Sequence, residues 1–527
     1  MPSETPKHQD SCGFAMLANI EAVATESIIE KSLQGLSKLS HRGAVAEDGK
    51  SSDGCGILFR QDRKSILKLL DNAASSNLDK FAVAVIYLSP RHEDYNETYK
   101  IFNQELEKEQ LGIFANREVP IRPEFCGYQA LRDLPKIIQV FIDLDNLKSY
   151  SDKFIEAKLM LVRKRVEEWH RLNNKTPNFY CASFSSQSIS YKAMVTTDNL
   201  ANFYPDLKEH HFKTSVCLFH QRFSTNTQPQ WRLAQPFRYI AHNGEFNTID
   251  GNRNWAQAKK LTFISENTKD LSELQELINQ TGSDSMSFDN MLELLYLGGL
   301  DLVTAIKLLI PPAYENNYKY DEKLGAMYEY YSLFMEAWDG PAAIVAFDKE
   351  YAVCSLDRNG LRPARYTITD NNEFLIGSEI GIIDYDLDHI KEDGKLSPGE
   401  TIALDFKAKE IIKNRGLERN LVVKHDYQLL TEQGLKTIIN PISLKTEKDY
   451  FQEEFKDIDE KTYYKFFQVS LEELNYVFPP LASNSSEAIG SMGDDATIAA
   501  LSSKKRSLYD YFKQRFAQVT NPAIDSI

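Results

Sequence analysis

Apolar residues in the first 170 positions follow two patterns, short continuous runs and a recurrence at spacings of three and four. The runs at 14–20 and 55–59, and the longer runs at 81–88 and 137–144, are of strand length. Runs rich in Val, Ile and Phe with no polar face are typical of buried strands. Apolar positions within 28–39 and 155–169 return to one face of a 3.6-residue period, so each range predicts an amphipathic helix.

The second half of the chain predicts helices and strands in alternating blocks. Strands are predicted at 215–220 and 239–241, and helices within 291–297, 302–309 and 324–338, with Pro311-Pro312 ending the second of these helices. Two apolar runs, 342–347 and 351–356, flank an acidic turn and predict a hairpin. This order predicts an α+β fold with sheet layers covered by helices.

The composition changes near Thr401. Charges cluster within 407–419 and 447–465, which is typical of solvated linkers, so we predict a first domain over 12–405 and a charged linker over 406–465. Residues 466–527 contain a glycine turn at 490–495 and a predicted helix around 508–516. About sixty residues make only a marginal independent domain, so this segment is predicted to be the incomplete beginning of an α/β domain.

Composition and charge narrow the classes of function. A chain of 527 residues with 42% hydrophobic and 26% charged residues is typical of a globular protein of two to four domains. The longest apolar run that we find has eight residues, too short to cross a membrane as a helix. A net charge of −15 without a long basic stripe disfavours nucleic acid and anionic membranes as partners. Small-molecule chemistry is therefore favoured.

The six cysteines lie far apart and form no Cys-x-x-Cys pair, so neither a zinc site nor a disulfide framework is predicted. The first eleven residues are polar and lack the apolar core of a secretory signal. We therefore expect a cytoplasmic protein with free thiols. Cys12 differs from the other cysteines because it directly precedes a predicted strand and follows a short polar tail, 1–11, that we predict to be a removable propeptide.

Candidate chemistry is concentrated in local patterns that occur in one order over one domain-sized span. They are Ser11-Cys12-Gly13-Phe14, His41-Arg42-Gly43-Ala44, Asp53-Gly54-Cys55-Gly56, Gln221-Arg222-Phe223-Ser224-Thr225-Asn226, His242-Asn243-Gly244-Glu245, Gly282-Ser283-Asp284-Ser285 and Asp357-Arg358-Asn359-Gly360-Leu361-Arg362-Pro363. Hydrolysis of an amide needs a nucleophile, a base, oxyanion donors and groups that hold the substrate. A cysteine thiolate is a suitable nucleophile, and a free α-amine, with a pKa near 8, is a suitable base.

With these motifs the chain resembles the class II glutamine amidotransferases. The resemblance implies an N-terminal-nucleophile hydrolase fold, an αββα sandwich of two antiparallel sheets between helix layers. Within that class the chain is most similar to the amidotransferase domain of the glutamate synthase large subunit. The motifs that carry this likeness lie at 221–227, 233–238, 358–366, 490–495 and 515–522.

The resemblance implies a role for each site residue. Cys12 would be the nucleophile, and removal of 1–11 would free its α-amine as the base. Asn243, through its side-chain amide, and Gly244, through its backbone N–H, would form the oxyanion hole, and Arg42 would orient the nucleophile end of the site. For the substrate, Arg222, helped by Thr225, would bind the α-carboxylate of glutamine and Asp284 its α-ammonium. These residue types suit those charges.

Cys55 stands where the family usually has alanine, and small-residue packing is the favoured interpretation. The predicted reaction is hydrolysis of L-glutamine to L-glutamate and ammonia, with the ammonia destined for 2-oxoglutarate in the complete enzyme.

Cofactors and partners follow from the same resemblance. FMN and an iron–sulfur cluster are expected in the remainder of the large subunit, which is itself an expected partner together with a small flavoprotein subunit, and no cofactor or metal is expected within this chain. Two alternatives are left open: another class II amidotransferase that transfers ammonia to a sugar phosphate or aspartate, and a non-enzymatic fragment in which residues 1–11 stay attached.

Overall fold

The computed structural model of the chain describes residues 12–70, 80–173, 179–222, 228–263, 265–314, 321–434 and 458–486, together with 488, 490–492, 503 and 518–520. The chain divides into two compact units, 1–433 and 434–527. In the described ranges no helix is long and apolar enough to cross a membrane.

The strands of the described residues are numbered in chain order. They are β1 (Gly13–Asn19), β2 (Ser51–Arg60), β3 (Phe81–Leu88), β4 (Gly112–Glu118), β5 (Lys136–Asp143), β6 (Phe179–Ser185), β7 (Ser188–Val195), β8 (Val216–Gln221), β9 (Ile240–Gly244), β10 (Ala342–Phe347), β11 (Tyr351–Leu356), β12 (Arg365–Thr369), β13 (Glu373–Gly377), β14 (Ile390–Lys395), β15 (Thr401–Asp405), β16 (Glu410–Lys413), β17 (Gly490–Met492) and β18 (Gln518–Thr520).

The α-helices are numbered in the same way. They are α1 (Glu26–Lys38), α2 (Arg63–Leu67), α3 (His92–Lys108), α4 (Tyr128–Arg132), α5 (Asp152–Leu172), α6 (Leu200–Phe203), α7 (Asp206–Glu209), α8 (Ile249–Ala258), α9 (Asp284–Leu297), α10 (Leu302–Leu309), α11 (Glu322–Ser332), α12 (Asn414–Val422), α13 (Tyr427–Gly434), α14 (Glu460–Phe466) and α15 (Phe478–Asn484).

Two antiparallel sheets form the centre of the first unit. One has the strand order β14-β12-β13-β1-β8-β2-β7 and the other β16-β15-β11-β10-β9. Helix α1 packs on the first sheet, and helices α9 and α10 pack on the second. The predicted sandwich of two antiparallel sheets with helix layers is therefore confirmed.

Alternation along β1 shows how the sequence builds the two sides of its sheet. Phe14, Met16 and Ala18 belong to the apolar cluster that also contains residues of β10 and β11, so they face the second sheet. Ala15 and Leu17 belong to the cluster that contains the apolar face of α1. Successive side chains of a strand point to opposite faces, and both faces are covered here, which explains the continuous apolar run.

A third antiparallel sheet, with the order β4-β5-β3-β6, occupies the segment between β2 and β7. The apolar runs at 81–88 and 137–144 pair with each other in this sheet, with Val83 opposite Phe141. Helices α3 and α5 cover one face, where Phe102, Leu159 and Val162 are buried. The sequence predicted these strands correctly, but the separate sheet that contains them became evident only in the tertiary structure.

One predicted helix is shorter than its pattern suggests. The sequence predicted helix over 324–338, whereas α11 ends at Ser332. The backbone leaves the helix because the Trp338 N–H donates to the Leu309 carbonyl at 2.7 Å. The Trp338 ring packs edge-on against Phe246 and Phe288 in the core. Burial of one aromatic side chain outweighs the helical period here.

The prediction of a linker over 406–465 is wrong for residues 406–434. This range contains β16, α12 and α13, and Leu417, Leu421 and Tyr427 are buried in the first unit. The apolar residues of α12 recur at i and i+4, so they form one buried stripe beneath a charged outer face. The charge cluster that suggested a linker belongs to the solvated side of these elements.

The second unit is described by its helices α14 and α15 and by one short strand pair. Part of the glycine turn predicted at 490–495 is strand β17, in which Gly490 pairs with Thr520 of β18. The helix predicted around 508–516 and the remainder of that turn lie outside the described residues.

Candidate active site

The nucleophile candidate stands at the end of a central strand. Cys12 directly precedes β1 and is half-buried. Gly13 pairs with Gln221 of β8, and on the other side of β8 Cys55 of β2 pairs with the same Gln221. The register therefore places Cys12 and Arg222 next to each other, at the point where β1 begins and β8 ends.

Arg222 is a buried cation at this end of the two strands. Its backbone N–H donates to the Gly54 carbonyl at 2.9 Å, and its Nη1 donates to the Asp53 carbonyl at 3.4 Å. Burial lowers the pKa of the guanidinium, and the nearby charges of Asp53, Cys12 and Asp284 oppose that shift. A desolvated guanidinium beside Cys12 is well suited to bind a carboxylate in two-pronged geometry.

Asn243 and Gly244 end β9, the edge strand of the facing sheet. Gly244 has φ +144°, and a Cβ there would lie 1.7 Å from the Pro341 carbonyl oxygen, so only glycine fits. Glu245 N–H donates to the same carbonyl at 3.0 Å, which holds the turn in place. Asn243 is buried, and its Oδ1 accepts no hydrogen bond from the described residues. A turn built in this way can present a backbone N–H and a side-chain amide to an oxyanion.

One main-chain carbonyl connects the two sheets at the site. The His220 ring, on β8, donates from Nε2 to the His242 carbonyl on β9 at 3.1 Å, so Nε2 carries the proton. Gln235 donates to that carbonyl at 3.2 Å and accepts from the His242 N–H at 2.8 Å. The Gln235 side chain thus makes the two backbone hydrogen bonds that a neighbouring strand would make at this edge. These bonds hold His242, the residue directly before Asn243. The sequence contained Gln235 within the 233–238 motif but gave no signal of this role.

The three histidines beside the motifs have no metal-ligand spacing, and His220 and His242 are neutral structural groups. Burial lowers the pKa of His220 to about 3 and that of His242 to about 4. The His242 Nδ1 lies 2.8 Å from the Ser285 hydroxyl, and the ring stacks on Phe246 at 4.6 Å. Neither ring is available as the general base at neutral pH.

The depressed pKa of His220 predicts a pH dependence of stability. Between about pH 6.5 and 3 the unfolded chain protonates this histidine while the folded chain does not, so folding loses stability as the pH falls. We expect His220→Gln, which keeps an N–H donor, to remove about 2 kcal/mol of the stability change between pH 7 and pH 5. Urea unfolding of both proteins at the two pH values measures this difference, and equal changes would contradict it.

Asp284 is placed to bind a cation. It is the first residue of α9, and its Oδ2 accepts the Phe246 N–H at 2.9 Å while the Ser285 hydroxyl donates to Oδ1 at 3.3 Å. The carboxylate is half-buried, and its charge acts on both Arg222 and His242. Arg222 and Asp284 are therefore two opposite charges close together near Cys12, which matches the two charges of a free amino acid.

Arg42 is held by a residue that the sequence analysis missed. The Arg42 Nε and Nη2 both lie 2.5 Å from the Glu379 carboxylate, and the His41 ring contacts the same carboxylate at 2.9 Å. A Cβ on Gly13 would lie 3.0 Å from the Arg42 Cγ, so the arginine stem packs beside the start of β1. No motif marked Glu379, because its partners lie more than 330 residues away in sequence.

Cys55 and Thr225 complete the list of predicted residues. The Cys55 thiol is buried and donates to the Val195 carbonyl of β7 at 3.3 Å, and burial raises its pKa far above the ordinary value. Such a thiol stays protonated and inert, which supports the packing interpretation. Thr225 lies outside the described residues, so its predicted help to Arg222 stays a prediction.

The motif that begins at Asp357 supports the turn at Asn243 and Gly244 through the neighbouring strand β10. Asp357 Oδ1 accepts the N–H of Ala342, the residue that pairs with Gly244, at 2.9 Å. Arg358 forms a two-pronged ion pair with Asp339 at 2.9 and 3.1 Å, and the Asp339 carbonyl accepts the Asn247 N–H at 2.8 Å. The motif therefore holds both ends of the segment 339–342, which contacts residues 244–247.

Comparison with known proteins agrees with this geometry. The family model described as "Glutamine amidotransferases class-II" matches residues 12–430, and that of the "Glutamate synthase central domain" matches 462–527. The ferredoxin-dependent glutamate synthase of Cyanidium caldarium is 36% identical over 99% of this chain and 33% of its own length. The glutamate synthase [NADPH] large chain of Bacillus subtilis (strain 168) is 35% identical over 98% of this chain and 34% of its own. The chain thus spans about a third of the length of these relatives.

Proposed function

The chain belongs to the class II glutamine amidotransferases, and on that premise we propose that it is the glutaminase part of a glutamate synthase. It hydrolyses L-glutamine to L-glutamate and ammonia. The observation that carries the proposal is that Cys12 and Asp284 lie close enough to the buried Arg222 for their charges to act on its guanidinium. This group lies near the turn of the facing sheet that we propose as the oxyanion hole. The match of 462–527 to the glutamate synthase central domain supports the choice of synthase among the amidotransferases.

In the proposed first half-reaction, the Cys12 thiolate attacks the side-chain amide carbon of glutamine. A bond forms between Sγ and Cδ while the carbonyl electron pair moves to the oxygen, where Asn243 and the Gly244 N–H stabilise the negative charge. The tetrahedral intermediate collapses, the carbon–nitrogen bond breaks, and ammonia leaves with a proton from the base. The product on the enzyme is a γ-glutamyl thioester.

In the second half-reaction, water attacks the thioester carbonyl and the same base accepts a proton from it. The carbon–sulfur bond breaks, glutamate leaves, and the Cys12 thiolate is restored. Arg222 and Asp284 bind the α-carboxylate and α-ammonium of the substrate throughout, with Thr225 assisting Arg222, because neither charge changes during the reaction. Arg42, held by Glu379, keeps the start of β1 in place.

The base in this proposal is the α-amine of Cys12 itself, because burial makes His220 and His242 weak bases, with pKa values of about 3 and about 4, and both rings are engaged in structural contacts. An α-amine has a pKa near 8 and can accept the thiol proton at neutral pH. It becomes available when the bond between Ser11 and Cys12 is hydrolysed, so residues 1–11 act as a propeptide.

We therefore predict that the active protein begins at Cys12. Edman sequencing and intact mass of protein that hydrolyses glutamine should show the loss of residues 1–11, because the amine is a base only when free. A Cys12→Ala variant, purified in parallel, shows whether removal depends on the nucleophile itself. Full activity in protein whose sequence begins at Met1 or Pro2 would contradict the prediction.

The fate of the ammonia belongs to the remainder of the proposed enzyme. We propose that it reacts with 2-oxoglutarate at a synthase site that uses FMN and an iron–sulfur cluster, with a small flavoprotein subunit as a further partner, in the cytoplasm. Among the described residues no group of three or more His, Cys, Asp or Glu could hold a metal ion.

The proposal is tested by an assay of this chain alone. Release of glutamate and ammonia from L-glutamine, with asparagine as the control substrate, is the expected result, because the glutaminase residues all lie in the first unit. Asparagine has the same charges but a shorter side chain, so its amide does not reach Cys12. Failure of processed protein to release ammonia from glutamine would overturn the assignment.

A further inference from the structure

We propose that a cavity beside helix α9 binds a small organic anion. The cavity has a volume of about 360 Å³ and lies between α5, the beginning of β6, residues 230–238 and the segment 276–290. Its size is in the range of small-ligand pockets. Its described lining contains none of the residues assigned to the amidotransferase reaction, so it is a separate site.

Charge in the cavity favours an anion. The described lining contains four cations and three carboxylates, namely Lys164, Arg171, Arg232 and Arg238, and Glu167, Glu168 and Glu276. Each carboxylate is already in an ion pair: Glu167 with Arg163 at 2.9 Å, and Glu168 and Glu276 with Arg171 at 3.5 and 3.6 Å. The lining cations are paired as well, Lys164 with Glu167 at 3.7 Å and Arg238 with Asp289 at 3.4 Å, so among the described lining residues Arg232 is the cation that no carboxylate within 4 Å balances.

Arg232 supplies the unbalanced charge. Its Nε donates to Gln230 Oε1 at 2.9 Å, and it forms no ion pair with a described carboxylate. Burial lowers the pKa of the guanidinium, so the charged form is incompletely solvated. A guanidinium has five N–H donors, and an oxyanion is the ligand that satisfies several of them at once.

Asn290 provides an independent indication of a ligand. Its side chain is 3% exposed, and its Oδ1 accepts from the Asn279 N–H at 3.0 Å and from Lys164 Nζ at 3.3 Å. Two donors on Oδ1 fix the orientation of the amide, so the remaining group is Nδ2, which meets no acceptor among the described residues. A buried donor without an acceptor is costly, and a ligand oxygen in this cavity would satisfy it.

The remaining lining residues indicate the chemistry of the uncharged part of the ligand. Phe179, Ile278 and Met286 present apolar surface to the same cavity. The combination of an unpaired guanidinium, an amide donor and this apolar surface fits a small molecule with one oxyanion, a carboxylate or a phosphate, on a short carbon skeleton. Such a ligand would be bound through Arg232 and Asn290.

Isothermal titration calorimetry with pyruvate and with inorganic phosphate, on the full chain, tests the site. We expect saturable binding of at least one of them, and the stronger ligand distinguishes a carboxylate from a phosphate source. Arg232→Gln should weaken binding at least about tenfold, because a charge-assisted contact is lost. Asn290→Asp keeps the acceptor for Asn279 and Lys164 but replaces the donor by a negative charge, so it should also weaken binding about tenfold or more.

The matched control is Arg165→Gln, which removes one positive charge from helix α5 at a position that does not line the cavity and that pairs with Glu109 at 2.6 Å. The anion affinity of this variant should stay within about twofold of the parent, since the removed charge is already balanced and does not contact the ligand. Thermal unfolding checks that each variant is folded. Because Arg232 is only half-buried, we expect Arg232→Gln to fold, so this variant tests the site even if Asn290→Asp does not fold. No saturable binding of either anion up to about 10 mM, or equal weakening by Arg165→Gln and Arg232→Gln, would overturn the proposal.

Discussion

Cys12→Ala should reduce glutamine hydrolysis to background, a loss of about 10⁴-fold or more, because removal of a covalent nucleophile eliminates the step that the other residues assist. Cys12 stands at the beginning of β1, beside Arg222, and its charge acts on that guanidinium. The measurement is the release of glutamate and ammonia at saturating glutamine. Glutamine binding by the variant, measured by calorimetry, should survive, since alanine removes only the thiol.

Cys55→Ala is the matched control for this experiment. Cys55 lies on β2, which pairs with β8 on the side opposite β1, and it directly follows Asp53 and Gly54, whose backbone contacts Arg222. Its thiol is buried and donates to the Val195 carbonyl, so it is engaged away from the substrate groups. We expect nearly unchanged kcat and KM. If Cys55→Ala were as inactive as Cys12→Ala, the nucleophile would be misassigned.

Asn243→Ala should lower kcat by about 10² to 10³-fold with little change in KM. The substrate oxygen becomes negative only after the thiolate has added, so a donor to that oxygen acts mainly in the transition state. Asn243 is buried in a turn whose backbone is fixed by the Pro341 carbonyl and by the His242 contacts, so the position of the residue is set before substrate binds. Steady-state kinetics with glutamine separate the two constants.

Arg222→Lys and Asp284→Asn provide the contrasting result for the same assay. Their proposed contacts are to charges that persist through the reaction, so their loss should raise KM with a smaller change in kcat. Lysine keeps the positive charge of Arg222 but loses the fork that binds both carboxylate oxygens, so this mild change should still reduce affinity. An Asn243→Ala protein with normal kcat and raised KM would contradict the oxyanion assignment while leaving the family unchanged.

Local sequence patterns determined most of the secondary structure. The strand 81–88, the helix 302–309 with its proline stop, and the hairpin of 342–347 and 351–356 have the predicted bounds. Each depends on the spacing of apolar residues or on a turn, which are properties of neighbouring positions. The prediction failed over 406–434, where the charged outer face of helix α12 was interpreted as a linker.

The candidate site likewise contains residues that sequence motifs predicted and residues whose role only the tertiary structure showed. The sequence motifs, through their resemblance to the class II glutamine amidotransferases, predicted Cys12, Arg42, Arg222, Asn243, Gly244 and Asp284 as site residues. Only the tertiary structure showed that Glu379 holds Arg42 and that Gln235 and His220 hold the backbone before Asn243. These contacts join side chains whose partners are set by strand order and by the packing of two sheets. No spacing along the chain encodes such pairings, and the fold decides them by bringing distant residues within hydrogen-bond distance.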